Sequence, residues 1–94
     1  MLLALALYAS MNARQKRTLE QVFADPVSGT IRWTAIEGLL KAIGCRVIED
    51  KGSRVKFELN GVIASFHRPH PEPTAKHYQV RDVREFLTKL GVKP

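Results

Sequence analysis

The stretch Gly52-Ser53-Arg54-Val55-Lys56-Phe57-Glu58-Leu59-Asn60-Gly61-Val62-Ile63-Ala64-Ser65-Phe66-His67 decides how this chain folds. Asn-Gly between two alternating runs predicts a β-hairpin, because both central residues of a type I′ turn need positive φ. With Asn60 and Gly61 as the loop, the register follows. Leu59 faces Val62, Phe57 faces Ala64 and Val55 faces Phe66 on one apolar face. Glu58 meets Ile63, Lys56 meets Ser65 and Arg54 meets His67 on the other. A strand's period of two forces this sorting.

The elements on either side extend the pattern. Residues 12–24 predict a helix, capped by Asn12 and apolar on one face at Leu19, Val22 and Phe23. Asp25-Pro26 stops it, and residues 26–29 form a turn. Thr34, with Glu37 three residues on, predicts a capping box opening a second helix. Ile36, Leu39, Leu40 and Ile43 face its core, Gly44 ends it, and Trp33 before it suits a core or staple role. Strands are expected at residues 45–49, 53–59 and 62–67. The loop at residues 50–52 would set Val47 opposite Val55. Three prolines at positions 69, 71 and 73 keep the next segment out of any central strand. A last helix over residues 79–90 carries Val80, Val83, Phe86, Leu87 and Leu90 on its core stripe, with Gly91 after it. Arg81, Arg84 and Lys89 interleave with Asp82 and Glu85 on what reads as a salt-bridged solvent face. The fold class is α+β, with a three-stranded antiparallel sheet and the helices on one face.

Ninety-four residues make one small domain, and 26% charged with 45% apolar residues is a globular mixture. A net charge of +6 favours an anionic partner: RNA, DNA, an acidic protein or a membrane surface. A single cysteine, Cys45, excludes an intrachain disulfide and a multi-cysteine metal cluster, and fits a reducing cytoplasm. Its place beside a helix-ending glycine suits a small buried hydrophobe. The apolar run over residues 1–10 is too short to span a bilayer and lacks the basic start of a signal peptide. Met11 precedes the Asn12 cap directly. We therefore expect residues 1–11 to be an extension, or an extra helical turn, and residues 12–94 to form the domain.

Chemistry concentrates on the polar sheet face. Arg54 and Lys56 lie two apart on one strand, so both point the same way and can hold phosphate, with Lys51 in the adjacent loop and Arg68 after His67. His67 opposite Arg54 is placed to act as an acid or base, since a neighbouring cation favours its neutral form. Cleavage through the RNA 2′-OH needs proton transfer and cations for the phosphorane charge, which histidine, arginine and lysine supply without metal. His67 and His70 make a His-x-x-His pair, yet no third ligand is evident.

Several features in order resemble the HicA toxins: the capped helix ending in glycine, Lys51-Gly52-Ser53 between two strands, a third strand ending in His67, the Pro/His loop, and a closing helix ending Phe86-Leu87-Thr88-Lys89-Leu90-Gly91. The resemblance covers residues 33–92. It implies a double-stranded-RNA-binding-domain-like α-β-β-β-α fold, here with an extra N-terminal helix. It also implies metal-independent cleavage of mRNA, no cofactor, and neutralisation by a HicB-like antitoxin. Members of that family place a catalytic histidine directly after the Gly-Ser of the second strand, where this chain has Arg54. Two readings stay open: His67 supplies the imidazole from the facing strand, or the chain binds RNA or its antitoxin without cleaving. The expected catalytic residues are His67 and Arg54. The expected RNA contacts are Lys51, Ser53, Lys56, Arg68, His70 and Lys76.

Overall fold

The computed structural model describes residues 9–94, so the expectation for the N-terminal extension falls mostly outside the described residues. Within them the order is α1 (Ala13–Val22), α2 (Trp33–Ala42), β1 (Arg46–Glu49), β2 (Arg54–Leu59), β3 (Val62–His67) and α3 (His77–Lys89). The strands form one antiparallel sheet in the order β1-β2-β3. This is an α+β fold with the element order expected from the sequence.

The β2–β3 hairpin has the anticipated register at all six pairs, from Arg54 opposite His67 to Leu59 opposite Val62. Asn60 has φ 52° and Gly61 φ 82°, the two positive values a type I′ turn requires. The β1–β2 register differs from expectation. Val47 lies opposite Phe57, and Glu49 rather than Val47 lies opposite Val55. The connecting loop closes later than expected, through Arg54 N–H to the Lys51 carbonyl and Asp50 N–H to the Arg54 carbonyl. A shift of two residues preserves facing, so Val47 still points to the core.

Val55, Phe57 and Phe66 of the sheet meet Leu19, Ile36, Leu39, Leu40, Val83 and Leu87 of the helices in one buried cluster. Trp33 and Phe66 rings lie 5.3 Å apart and Phe57 and Phe66 rings 6.1 Å apart, both inclined as ring quadrupoles prefer. Among the described residues Met11, just ahead of the Asn12 cap, joins this core at 5% exposure. Cys45 is buried, as expected of a small hydrophobe. Burial, and secondarily the charge of Glu58, pushes its thiol up to about 11.

Helix ends follow their sequence signals in three places of four. Asn12 caps α1 through the Gln15 N–H, and the Gln15 side chain returns to the Asn12 N–H. At the end of α2, Gly44 N–H donates to Lys41 O and Cys45 N–H to Leu40 O. Gly91 and Val92 repeat this at the end of α3, on Thr88 O and Leu87 O. These are paired Schellman bonds, and they require the positive φ that Gly44 and Gly91 adopt.

The start of α2 is the exception. Its N-cap is Arg32, and no Thr34–Glu37 capping box forms. Trp33 N–H instead donates to Pro73 O, and Ala75 N–H donates to Ile31 O. The chain after β3 therefore pairs with the entrance to α2 and starts the helix early, which frees the Glu37 side chain for another task. Arg84 also departs from the expected solvent face. It donates to the Val22 and Ala24 carbonyls and lies 5.9 Å from the Phe23 ring centroid, fastening the end of α1 to α3. Lys89 and Glu85 do form the expected surface pair, at 3.4 Å.

Candidate RNA interface

The outer sheet face carries Arg54, Lys56, Ser65 and His67, with Arg46 and Glu58 toward the hairpin end. Arg68 N–H donates to Ser53 O at 2.9 Å, which makes Ser53 and Arg68 a hydrogen-bonded pair. Antiparallel pairs alternate, so Arg54 and His67 form a non-hydrogen-bonded pair, the type with closer side chains. Their Cβ atoms are then about 4.5–5.5 Å apart. Both side chains are exposed, and Lys56 on the same face is half-buried. Among the described residues, no carboxylate forms an ion pair with Arg54, Lys56 or Lys51. Glu58, the acidic residue of this face, accepts from Arg46 at 3.4 Å and from Gly61 N–H at 2.9 Å.

Lys51 and Ser53 are exposed in the loop leading into β2, at the Arg54 end of the sheet. The fold thus gathers Lys51, Ser53, Arg54, Lys56 and His67 along one end and face.

Arg68 stands apart from them. One residue beyond His67, it takes the opposite parity and turns toward the core side, as Glu49 does on β1. Its Nε donates to Glu37 at 2.9 Å, and its two terminal nitrogens donate to Glu49 at 2.7 and 3.0 Å. These bonds hold the Glu49 carboxyl below its ordinary range, and the carboxylates raise the Arg68 guanidinium further above its own. The clasp joins α2, β1 and the end of β3, which fixes the strand end that carries His67.

His70 is exposed in the proline loop, and Lys76 is exposed as the N-cap of α3. Gln79 brings Lys76 near the site. Buried at 2% exposure, it accepts from Lys76 N–H at 3.0 Å and donates to the His67 carbonyl at 2.6 Å. Sequence reasoning missed Gln79, Glu37 and Glu49 as supports of the site. For Gln79 a signal existed: it stands four residues before Val83 and seven before Phe86, a polar residue in register with a core stripe.

Among the described residues no group of three or more His, Cys, Asp or Glu side chains gathers that could hold a metal ion, and no helix is long and apolar enough to cross a membrane. Exposed cations around an imidazole can neutralise a phosphate and exchange a proton with it.

A family model described as the HicA toxin of bacterial toxin-antitoxin matches residues 33–92, well over half of the chain. The match begins at the first residue of α2 and takes in the sheet and α3, leaving α1 outside it. No curated protein and no solved structure matches the chain.

Proposed function

The chain belongs to the HicA toxin family of bacterial toxin-antitoxin systems, and from that premise we propose that it is a metal-independent endoribonuclease acting on mRNA in the cytoplasm. The observation that carries the reading is the exposed Arg54–His67 cross-strand pair with Lys56 on the same face. RNA lies across this face with its scissile phosphate against Arg54 and Lys56. His67 accepts the proton of the 2′-OH as the 2′ oxygen bonds to phosphorus. The bond from phosphorus to the 5′ oxygen breaks, and that oxygen takes a proton from solvent. Charge gathers on the phosphorane oxygens in between, and positioned cations stabilise that charge more than they stabilise the ground state. Lys51 and Ser53, with His70 and Lys76 beyond His67, hold the flanking nucleotides. Arg68 is assigned to the clasp and not to the RNA, because its guanidinium is already shared by Glu37 and Glu49.

A small antitoxin of the HicB type neutralises the toxin in this reading. The +6 charge suits an acidic partner surface. A second reading, RNA binding without cleavage, is favoured by Arg54 standing directly after Gly52-Ser53, where the family pattern has a histidine.

Induced expression separates the two. Cleavage predicts that the parent arrests growth and degrades mRNA, and that His67→Ala and Arg54→Ala do neither while still accumulating as folded protein. Arrest and mRNA decay by both variants at the parent's level would remove the site assignment. Arrest with intact mRNA would leave the binding reading.

A further inference from the structure

Among the described residues Tyr78 and Ile63 are the large apolar side chains left most open, at 54% and 58% exposure. Ile63 belongs to the outer sheet face near the hairpin turn. Tyr78 lies in the first turn of α3, and its neighbour Gln79 ties it to the proposed site. It precedes Gln79, whose side chain is bonded to the His67 carbonyl at 2.6 Å. With 3.8 Å between successive Cα atoms and an extended glutamine, the Tyr78 backbone lies at most roughly 12 Å from that carbonyl.

The helix fixes the direction as well. Tyr78, Asp82, Glu85 and Lys89 follow the spacing i, i+4, i+7, i+11, so they share one stripe of α3. Asp82, Glu85 and Lys89 line a groove with Ile63 and Ser65 of β3. The Gln79 bond puts the start of α3 at the His67 end of that groove. Tyr78 therefore stands on the β3 side of α3, level with His67, where the outer sheet face gives way to the edge of the sheet.

From this placement we infer that Tyr78 is a stacking platform for the base of a nucleotide next to the scissile phosphate, so that it positions the RNA strand and sets its path. The inference rests on the proposed RNA site for the location of the phosphate. An exposed tyrosine ring suits this role because every base offers a π-face, whatever its sequence. Charge sets which way the strand continues. In the groove beyond Tyr78, Lys89 pairs with Glu85 and Asp82 carries the remaining negative charge, which disfavours a phosphate there, whereas Lys76, two residues before Tyr78, attracts one. The backbone leaves the sheet past Tyr78 toward Lys76, and does not run down the groove.

The test uses the full chain and a short mixed-sequence RNA with 2′-O-methyl riboses, which cannot be cut through the 2′ oxygen. Tyr78→Ala is expected to weaken binding about 5- to 150-fold, the range for loss of one stacked base. Tyr78→Phe stays within about twofold of the parent, because the ring is retained. Removing single bases along the RNA finds one position at which the parent and Tyr78→Ala become equal. Tyr78→Ala binding like the parent overturns the inference. So does a loss that no abasic position abolishes, or a loss seen only for a protein partner. Cleavage is read separately, on unmodified RNA with the parent and His67→Ala. A parent that binds through Tyr78 but never cuts removes the nuclease reading alone. A parent that cuts while Tyr78→Ala binds normally removes the stacking inference alone.

Discussion

Replacing Arg68 by methionine separates a structural clasp from a phosphate ligand. The substitution keeps an unbranched apolar stem and deletes three hydrogen bonds to two carboxylates. The contacts differ in worth. Glu37 is 14% exposed and Arg68 32%, so that bond is partly shielded from water. A hydrogen bond to a charged group contributes about 1.5–3 kcal/mol, and losing its partner leaves Glu37 poorly solvated. Glu49 is 66% exposed, and its share is small and screened by salt. We expect a net loss of about 2 kcal/mol, carried mainly by the Glu37 bond.

That is a large fraction of the roughly 5–14 kcal/mol available to a domain of this size. The melting temperature should fall by about 8–16 °C. Urea unfolding of the parent, Arg68→Met, Glu37→Gln and the double variant gives the coupling directly, and about 1 kcal/mol or more is expected between positions 68 and 37. Acid adds an independent check. The Glu49 carboxyl is lower in the folded state than its ordinary value near 4.5. Its contribution is therefore complete above that value and is lost as pH falls through the folded one. Glu49→Gln should flatten this part of the acid limb. Arg68→Met as stable as the parent, or additive with Glu37→Gln, would refute the clasp. A stable variant with weakened RNA binding would return Arg68 to the interface.

Gly61→Ala should cost about 1–2 kcal/mol, since φ is 82° and an added Cβ would meet no atom within 4 Å, leaving backbone strain as the whole effect; denaturant midpoints measure it, and an unchanged midpoint would contradict the turn assignment. Cys45 should resist an aqueous thiol reagent near pH 8 in the native protein and react rapidly once unfolded. With the thiol pushed up to about 11 from 9.0, its contribution to stability is present below 9.0 and is lost as pH rises through 11, so prompt native-state labelling would be inconsistent with its burial.

The hairpin was fully legible because Asn60-Gly61 admits one tight turn, and one turn fixes six pairs. The β1–β2 connection carries no such dipeptide. Lys51-Gly52-Ser53 accommodates several closures, so facing could be read but register could not. The start of α2 was misplaced for a non-local reason: Thr34 and Glu37 satisfy a local capping rule, but the segment around Pro73 and Ala75 pairs with Ile31 and Trp33 from forty residues away. Arg54 and His67 pair as the Asn60-Gly61 turn and the strand period together dictate. The same period, continued one residue, sends Arg68 to the other face, where it meets Glu37 and Glu49; the sequence reading instead grouped it with the basic cluster, because neither carboxylate is near it in sequence. Gln79 announced itself by its polarity in a core register, whereas its bond to the His67 carbonyl depends on where α3 docks, which local sequence does not encode.

The proposed cleavage of RNA by Arg54 and His67 needs no metal. Its most direct test is incubation of the purified chain with unmodified RNA in excess chelator, with the products and their ends identified. The parent should yield 2′,3′-cyclic phosphate and 5′-hydroxyl ends, and His67→Ala or Arg54→Ala should leave the RNA intact. Cleavage by both variants at the parent's rate, or cleavage that stops when the chelator is added, would contradict it.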